Sequence, residues 1–222
     1  MTSRIGSWTV IVPMKAPEQA KSRLRETRQN GPRLPDATEL ATAFLLDVVQ
    51  AASRATRVAE VLVISPDTAV AAVLHNQSSR FLVQDHDPTR APAVTGINHA
   101  ITQATLAIRA TNPGTSVAAI TGDLAALSSD SLDAALALAD AFATTCFVAD
   151  RQDTGTTALL LPRGTWTAPQ FGAGSATAHR AAGIREISDD VGLDLRTDVD
   201  TADDLAEAID LGVGPNTARL MS

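Results

Sequence analysis

The segment Ser116-Val117-Ala118-Ala119-Ile120-Thr121-Gly122-Asp123-Leu124 indicates the fold class of this 222-residue chain. Its first part is a short apolar run bounded by turn residues, which is typical of a buried strand in a parallel sheet. Gly122 ends this strand, and Asp123 follows directly. Because ligands bind at the carboxyl edge of open α/β sheets, Asp123 is predicted to lie in a ligand site.

A second acidic segment, Asp198-Val199-Asp200, ends another strand-like run. Alternate residues of an extended segment point the same way, so Asp198 and Asp200 are predicted to share one face. Together with Asp123 they would supply three carboxylates from two strand ends, a set that suits magnesium. Taken singly, each of these residues could equally be a helix N-cap or a turn residue.

Strand-like and helical patterns alternate along the whole chain, which predicts an α/β fold with a mostly parallel sheet covered on both faces. The predicted strands are residues 8–12, 61–64, 81–83, 116–120, 146–149, 157–161 and 193–198. The predicted helices are residues 37–54 after the N-cap Asp36, 68–74, 96–109, 129–143, 176–182, and 202–211 after the cap Thr201. Residues 1–222 are interpreted as one domain.

Composition limits the class of partner. The net charge of −7 argues against a nucleic-acid or anionic-membrane partner, since both require a basic surface. The single cysteine, Cys146, lies in an apolar run and is predicted to be a buried, inert thiol. With no apolar signal segment at the N-terminus and no run near 20 apolar residues, the chain is predicted to be cytoplasmic.

Three segments are candidates for binding an anion. The Gly-rich loop at residues 171–175 precedes a helix, and residues 153–157 place small hydroxyl side chains around Gly155. The third is a basic cluster, Lys15, Lys21 and Arg23, directly after the first strand. Each could instead be a solvated turn or a solvated surface. His179 could reach a substrate carboxylate or cap a surface.

The order of these segments resembles the guanylyltransferases of deazaflavin coenzyme F-420 biosynthesis. The shared segments are VPMK, AKSRL, GINHAI, TGDL, ADRQDTGTT, FGAGSATAH and DVDT, and the resemblance extends from Val10 to the C-terminal tail. It implies a single-domain, Rossmann-like nucleotidyltransferase fold of the GT-A-like kind. Two positions depart from the family: Ala125 stands where proline is usual, and Ile97 where leucine is commoner.

The resemblance also implies a role for individual residues. Asp123, Asp198 and Asp200 match the positions that hold magnesium. The acid-binding positions are matched by Thr156, Gly172 and Ser175. Lys15, Lys21 and Arg23 match the family's basic positions around the GTP phosphates. Together with Asp123 they are the expected catalytic groups. Gly96 and Asn98 fall in the segment expected to line the nucleotide pocket.

The activity that the resemblance implies is transfer of GMP from GTP to phosphoenolpyruvate, with release of pyrophosphate. The same reaction on 2-phospho-L-lactate or 3-phosphoglycerate stays open, as does partnership with the next transferase of the pathway. A sugar-phosphate or molybdenum-cofactor nucleotidyltransferase is the alternative enzyme. Those enzymes usually carry an LxxGxxxR loop where this chain has Val12-Pro13-Met14-Lys15. A non-catalytic nucleotide-binding regulator would need no such set of carboxylates.

Overall fold

The computed structural model describes residues 7–14, 34–75, 77, 79–83 and 96–222. Seven strands of this described part form one sheet. They are β1 (Trp8–Pro13), β2 (Val58–Ser65), β3 (Arg80–Val83), β4 (Ser116–Ile120), β5 (Cys146–Ala149), β6 (Thr156–Leu161) and β7 (Arg185–Glu186). Six of the seven predicted strands are therefore confirmed to within a few residues.

The strand order across the sheet is β3-β2-β1-β4-β6-β5-β7. Strand β6 is antiparallel to both of its neighbours, and every other pairing is parallel. The short connection between β5 and β6 explains this exception, because a parallel neighbour would need a crossover of a dozen or more residues. The predicted mostly parallel sheet is confirmed, and β6 places its first residue at the edge where β4 and β5 end.

The described helices are α1 (Ala37–Arg54), α2 (Ala69–Val73), α3 (Ile97–Thr111), α4 (Ser129–Phe142), α5 (Ser175–Ala181), α6 (Ala202–Leu211) and α7 (Pro215–Leu220). The predicted N-caps are confirmed at two of them. The Asp36 carboxylate accepts a hydrogen bond from the Thr38 N–H at 2.8 Å, and Thr201 forms a capping box with Asp204. None of the described helices is both long and apolar enough to cross a bilayer.

Alternate side chains of an inner strand point to opposite faces of the sheet, so each such strand packs against helices on both sides. On β4, Ala118 and Ile120 pack with α1 and α4, whereas Val117 and Ala119 pack with α3 and α5 on the other face. Helices therefore cover both faces, as predicted. Cys146 is buried within the first of these layers, and burial raises the pKa of its thiol to about 11. The prediction of a buried thiol is confirmed, and its inertness stays a prediction.

The predicted strand at residues 193–198 is wrong. Leu193–Leu195 is a 3₁₀ helix, closed by hydrogen bonds from Leu195 N–H to the Gly192 carbonyl and from Thr197 N–H to the Leu193 carbonyl. The strand that the sequence pattern missed is β7, which consists of only two residues, both of them polar. It forms because β5 offers a free edge: Arg185 N–H donates to the Thr145 carbonyl.

The C-terminal tail, which carries no clear sequence pattern, contains helix α7. The buried carboxylate of Asp47 on α1 holds the start of this helix. It accepts hydrogen bonds from the Asn216 backbone N–H at 2.9 Å, the Asn216 side-chain amide at 2.8 Å and the Thr217 N–H at 2.9 Å. A charge that is buried but fully hydrogen-bonded can dock a tail firmly.

We expect Asp47→Ala to lower the free energy of unfolding by about 2–3 kcal/mol, because three N–H groups lose a charged acceptor. Chemical denaturation monitored by circular dichroism measures this. The matched control is Asp210→Ala, which removes an exposed carboxylate from α6 and is expected to change stability by less than about 0.5 kcal/mol. Equal effects of the two substitutions would show that the tail is not held through Asp47.

Candidate active site

The candidate site lies at the edge of the sheet where β4 and β5 end and β6 begins. Thr121, just beyond β4, donates its N–H to the Thr157 carbonyl on β6 at 2.9 Å. Gly122 permits a close approach of two elements, since a Cβ there would lie 3.4 Å from Val12 Cγ1. Asp123 therefore projects from the edge of the sheet as predicted.

An irregular segment, residues 195–200, crosses this same edge. Its backbone is attached to each neighbouring strand end. The Thr157 hydroxyl donates to the Leu195 carbonyl at 2.7 Å, and Val199 N–H donates to the Asp123 carbonyl at 3.1 Å. These bonds attach the segment that carries Asp198 and Asp200 to the end of β4 without a strand. Asp123 and Asp200 both lie near enough to Asp198 to raise its pKa.

Negative charge is concentrated at this edge. The pKa of Asp198 is raised to about 7, first because the carboxyl is largely removed from water and then because Asp123, Asp200 and Asp150 carry like charges nearby. Such repulsion between carboxylates is relieved when a cation lies among them. The electrostatics of the edge are therefore compatible with the predicted magnesium ion.

The spacing of these carboxylates limits how a cation could be held. Within the described residues, no group of three or more His, Cys, Asp or Glu side chains is arranged to hold a metal ion. The predicted three-carboxylate site is therefore not preformed there. Magnesium, however, is commonly held by one or two carboxylates together with substrate phosphates and water. The residues fit a metal that arrives with a nucleotide, and magnesium binding stays a prediction.

The turn between β5 and β6 is organised by Asp150, a residue to which the sequence assigned no role. Its carboxylate accepts hydrogen bonds from the Thr154 N–H at 2.9 Å and the Gly155 N–H at 2.6 Å. A Cβ at position 155 would lie 2.5 Å from Asp150 Oδ2, so a larger residue there would displace this carboxylate from its hydrogen bonds. The Thr154 and Gly155 N–H groups are thus occupied by the chain's own carboxylate, and anion binding by the rest of this segment stays a prediction. An aspartate that directly follows a strand and lies four residues before a Thr-Gly pair is the signal that could have identified it.

The anion-binding candidates Thr156 and Ser175 lie together beside this turn. Thr156 begins β6, and Ser175 begins α5, whose Ala176 N–H donates to the Thr154 carbonyl at 3.2 Å. Ser175 is 2% exposed, and its hydroxyl has no hydrogen-bond partner among the described residues. These two buried hydroxyl groups are taken as the wall of a candidate anion pocket, and their binding of an anion stays a prediction.

The Asn98 side chain is hydrogen-bonded to the backbone at the start of the Gly-rich loop. Its side-chain amide donates to the Phe171 carbonyl at 3.0 Å, and its side-chain oxygen accepts from the Phe171 N–H at 2.8 Å. Gly172 and Gly174 follow with φ angles of +132° and +72°, and a Cβ at either position would meet no atom within 4 Å, so this backbone is open. Asn98 thus positions the loop, and its role in the nucleotide pocket stays a prediction, as does that of Gly96, the N-cap of α3.

The interpretation of His179 as a surface cap is wrong, because the side chain is completely buried. Its ring lies behind the pocket wall and is hydrogen-bonded to the Thr156 hydroxyl at 2.9 Å. Lys15, Lys21 and Arg23 lie outside the described residues, so their role at the GTP phosphates stays a prediction.

A family model described as "Guanylyl transferase CofC like" matches residues 8–221. The chain belongs to this guanylyl transferase family. Two curated members are both named phosphoenolpyruvate guanylyltransferase. The one from Geodermatophilus obscurus is 42% identical, with 98% of this chain and 95% of the relative covered. The one from Streptomyces scabiei is 40% identical, with 95% and 94% covered. Family membership confirms the resemblance read from the segments.

Solved structures show the fold to which this guanylyl transferase family belongs. A Desulfovibrio desulfuricans G20 protein assigned to the nucleotide-diphospho-sugar transferases is 16% identical, with a TM-score of 0.65 over 98% of this chain and 94% of that chain. A 4-diphosphocytidyl-2C-methyl-D-erythritol synthase is 14% identical, with a TM-score of 0.58 over 93% and 98%. The predicted Rossmann-like nucleotidyltransferase fold is confirmed.

Proposed function

We propose that this protein transfers GMP from GTP to a small phosphorylated carboxylic acid, with phosphoenolpyruvate as the favoured acceptor, in the synthesis of a deazaflavin coenzyme. The observation that carries the proposal is the 40–42% identity, over nearly the whole chain, to relatives named phosphoenolpyruvate guanylyltransferase. The geometry supports it, because the sheet edge joins a cluster of carboxylates to a wall of hydroxyl groups.

The two parts of the edge suit the two substrates. Asp123, Asp198 and Asp200 would act at the triphosphate of GTP, where charge changes during the reaction. Thr156 and Ser175 would donate hydrogen bonds to the anionic acid, and the open backbone at Gly172 would let the acid approach closely. The Val199 N–H bond to the Asp123 carbonyl fixes the second acidic segment to the end of β4.

In the proposed reaction a phosphate oxygen of the acid attacks the α-phosphorus of GTP. One P–O bond forms, the bond from the α-phosphorus to the bridging oxygen breaks, and pyrophosphate leaves with the electron pair. The attacking oxygen is already an anion, so the reaction needs no general base. The described site agrees with this, since Cys146 and His179 are buried away from solvent.

Magnesium would be held by Asp123, Asp198 and Asp200 and would supply screening between the two polyanions. Lys15, Lys21 and Arg23 would supply positive charge from the segment after β1. The residues of the chain thus have an electrostatic and a positioning task, which is the main requirement in phosphoryl transfer.

Pyrophosphate release tests the proposal. With GTP and magnesium, we expect release when phosphoenolpyruvate is offered, and little release with 2-phospho-L-lactate, with 3-phosphoglycerate, or when ATP replaces GTP. Pyrophosphate is the better readout because the product is expected to be labile. Release with a different acid would keep the guanylyltransferase reaction and change its substrate. Absence of release with all three acids would refute the proposal.

A further inference from the structure

His179 is a buried polar residue that the proposed reaction does not use. Its ring packs between Phe147 on β5, at a centroid distance of 5.3 Å, and Phe171 of the Gly-rich loop, at 6.1 Å in an edge-on arrangement. The side chain has no exposed surface. A polar ring in such apolar surroundings must satisfy both of its nitrogens to be tolerated.

The hydrogen bonds of the ring assign its tautomer. The Gln170 backbone N–H can only donate, and it lies 3.2 Å from Nε2, so Nε2 is the acceptor. Burial lowers the pKa of His179, which favours the neutral ring. A neutral imidazole whose Nε2 accepts carries its proton on Nδ1. The bond of 2.9 Å between Nδ1 and Thr156 Oγ1 is therefore donated by His179.

This direction of donation determines what the Thr156 hydroxyl can do. Because the oxygen accepts from His179, its own proton is left to be donated elsewhere, and no second partner of this hydroxyl occurs among the described residues. Ser175 lies four residues before His179 on the same face of α5, and its buried hydroxyl has no partner in the described part of the chain. Both hydroxyl groups of the candidate anion pocket thus have a proton left to donate.

We propose that His179 is a positioning residue that makes the Thr156 hydroxyl an obligatory donor to an anionic oxygen of the phosphorylated acid. This inference rests on the proposed function and adds a determinant of acid binding to it. His179 does not touch the substrate; it acts through Thr156 and, through the Gln170 N–H, fixes the Gly-rich loop to the start of β6.

A double-mutant cycle tests the coupling. We expect His179→Leu to raise the KM for the acid about 10- to 100-fold, the range for a lost hydrogen bond to a charged group, with the KM for GTP little changed. Thr156→Val is expected to do the same. In the Thr156→Val background, His179→Leu should then have little further effect, because the hydroxyl through which it acts is already absent.

Conservative variants separate positioning from packing. In His179→Asn the amide nitrogen is as many bonds from Cα as Nδ1 and can donate to Thr156, so acid KM should be partly restored relative to His179→Leu. Thr156→Ser retains the hydroxyl and should retain most of the acid affinity. The proposal is overturned if the effects of His179→Leu and Thr156→Val multiply, or if the KM values for GTP and acid rise together.

The tautomer can be measured without substrate, which keeps this inference separate from the proposed function. We expect nitrogen-15 NMR of the histidine rings at neutral pH to show His179 neutral and protonated on Nδ1, with its signals identified by their loss in His179→Asn. A ring protonated on Nε2 alone, or on both nitrogens, would overturn the inference even if guanylyl transfer is observed. Failure of the wild-type protein to release pyrophosphate would instead refute the proposed function.

Discussion

Asp123→Asn is expected to lower the turnover of pyrophosphate release about 100- to 1,000-fold while leaving the fold intact. Removing one preorganised group that stabilises charge in a transition state typically costs this much. Asp123 follows β4 at the centre of the sheet edge, and its carboxylate contributes to the field that raises the pKa of Asp198. Asparagine has nearly the same shape, so the backbone bond from Val199 to residue 123 is expected to persist.

The measurement compares turnover at saturating GTP and acid with the thermal midpoint of the same preparations. Asp210→Asn, which removes one exposed negative charge from α6, is the control and is expected to retain normal turnover. Near wild-type turnover in Asp123→Asn would remove this residue from the catalytic machinery and would return the metal assignment to Asp198 and Asp200.

Asp198→Asn is expected to stabilise the metal-free protein at pH 8 and to abolish most activity. The folded-state pKa of Asp198 is raised to about 7 from an ordinary value of 3.8. A carboxyl with a raised pKa disfavours folding once it ionises, so its cost grows from about pH 4 and is fully present above pH 7. Discounting for screening, we expect a gain of about 1–2 kcal/mol at pH 8, or a midpoint higher by about 2–8 °C.

The pH dependence is the decisive part of this experiment. In a buffer containing a metal chelator, the stabilisation of Asp198→Asn over wild type should shrink as the pH falls from 8 to 5, since the wild-type carboxyl becomes protonated. Asp210→Asn should show no such trend. A difference that stays constant with pH, or a destabilised variant at pH 8, would show that Asp198 is not held among like charges.

The central strands were predictable because their sequence alone requires burial. An uninterrupted apolar run such as Val117-Ala118-Ala119-Ile120 has no polar face to give to solvent, so it must lie between two helical layers. The helix caps at Asp36 and Thr201 were equally readable, since they depend on neighbours within three residues. Local chemistry of this kind is fully present in the sequence.

The remaining elements depend on partners that are distant in the chain. Helix α7 is held by Asp47, far from it in sequence, and β7 exists only through its pairing with β5. At residues 193–198 a strand-like run indicated a strand, but residues 193–195 form a 3₁₀ helix and the Asp194 carboxylate accepts from the distant Ser128 N–H. Short-range patterns carry no signal for such contacts.

In the candidate site, too, the features set by local sequence were predictable and those set by distant partners were not. Asp123 was placed correctly because its position follows from one strand end. The burial of His179 could not be predicted from the sequence, because its partners Thr156 and Gln170 come from other elements. The residues around it in the sequence do not distinguish it from an exposed histidine on a helix. Asp150 was overlooked for a different reason: its partners Thr154 and Gly155 are local, but a carboxylate directly after a strand fits many roles.

The central position of β1 has a consequence for how the chain folds during synthesis. Strand β1 pairs with β2 on one side and with β4 on the other, yet β4 begins about 50 residues after β2 ends. At a typical elongation rate of 5–20 residues per second, the second edge of β1 waits roughly 3–10 s for its partner. During that interval one edge of a mostly apolar strand is open to other chains, so the nascent protein is most vulnerable to aggregation between the emergence of Ser65 and that of Ser116.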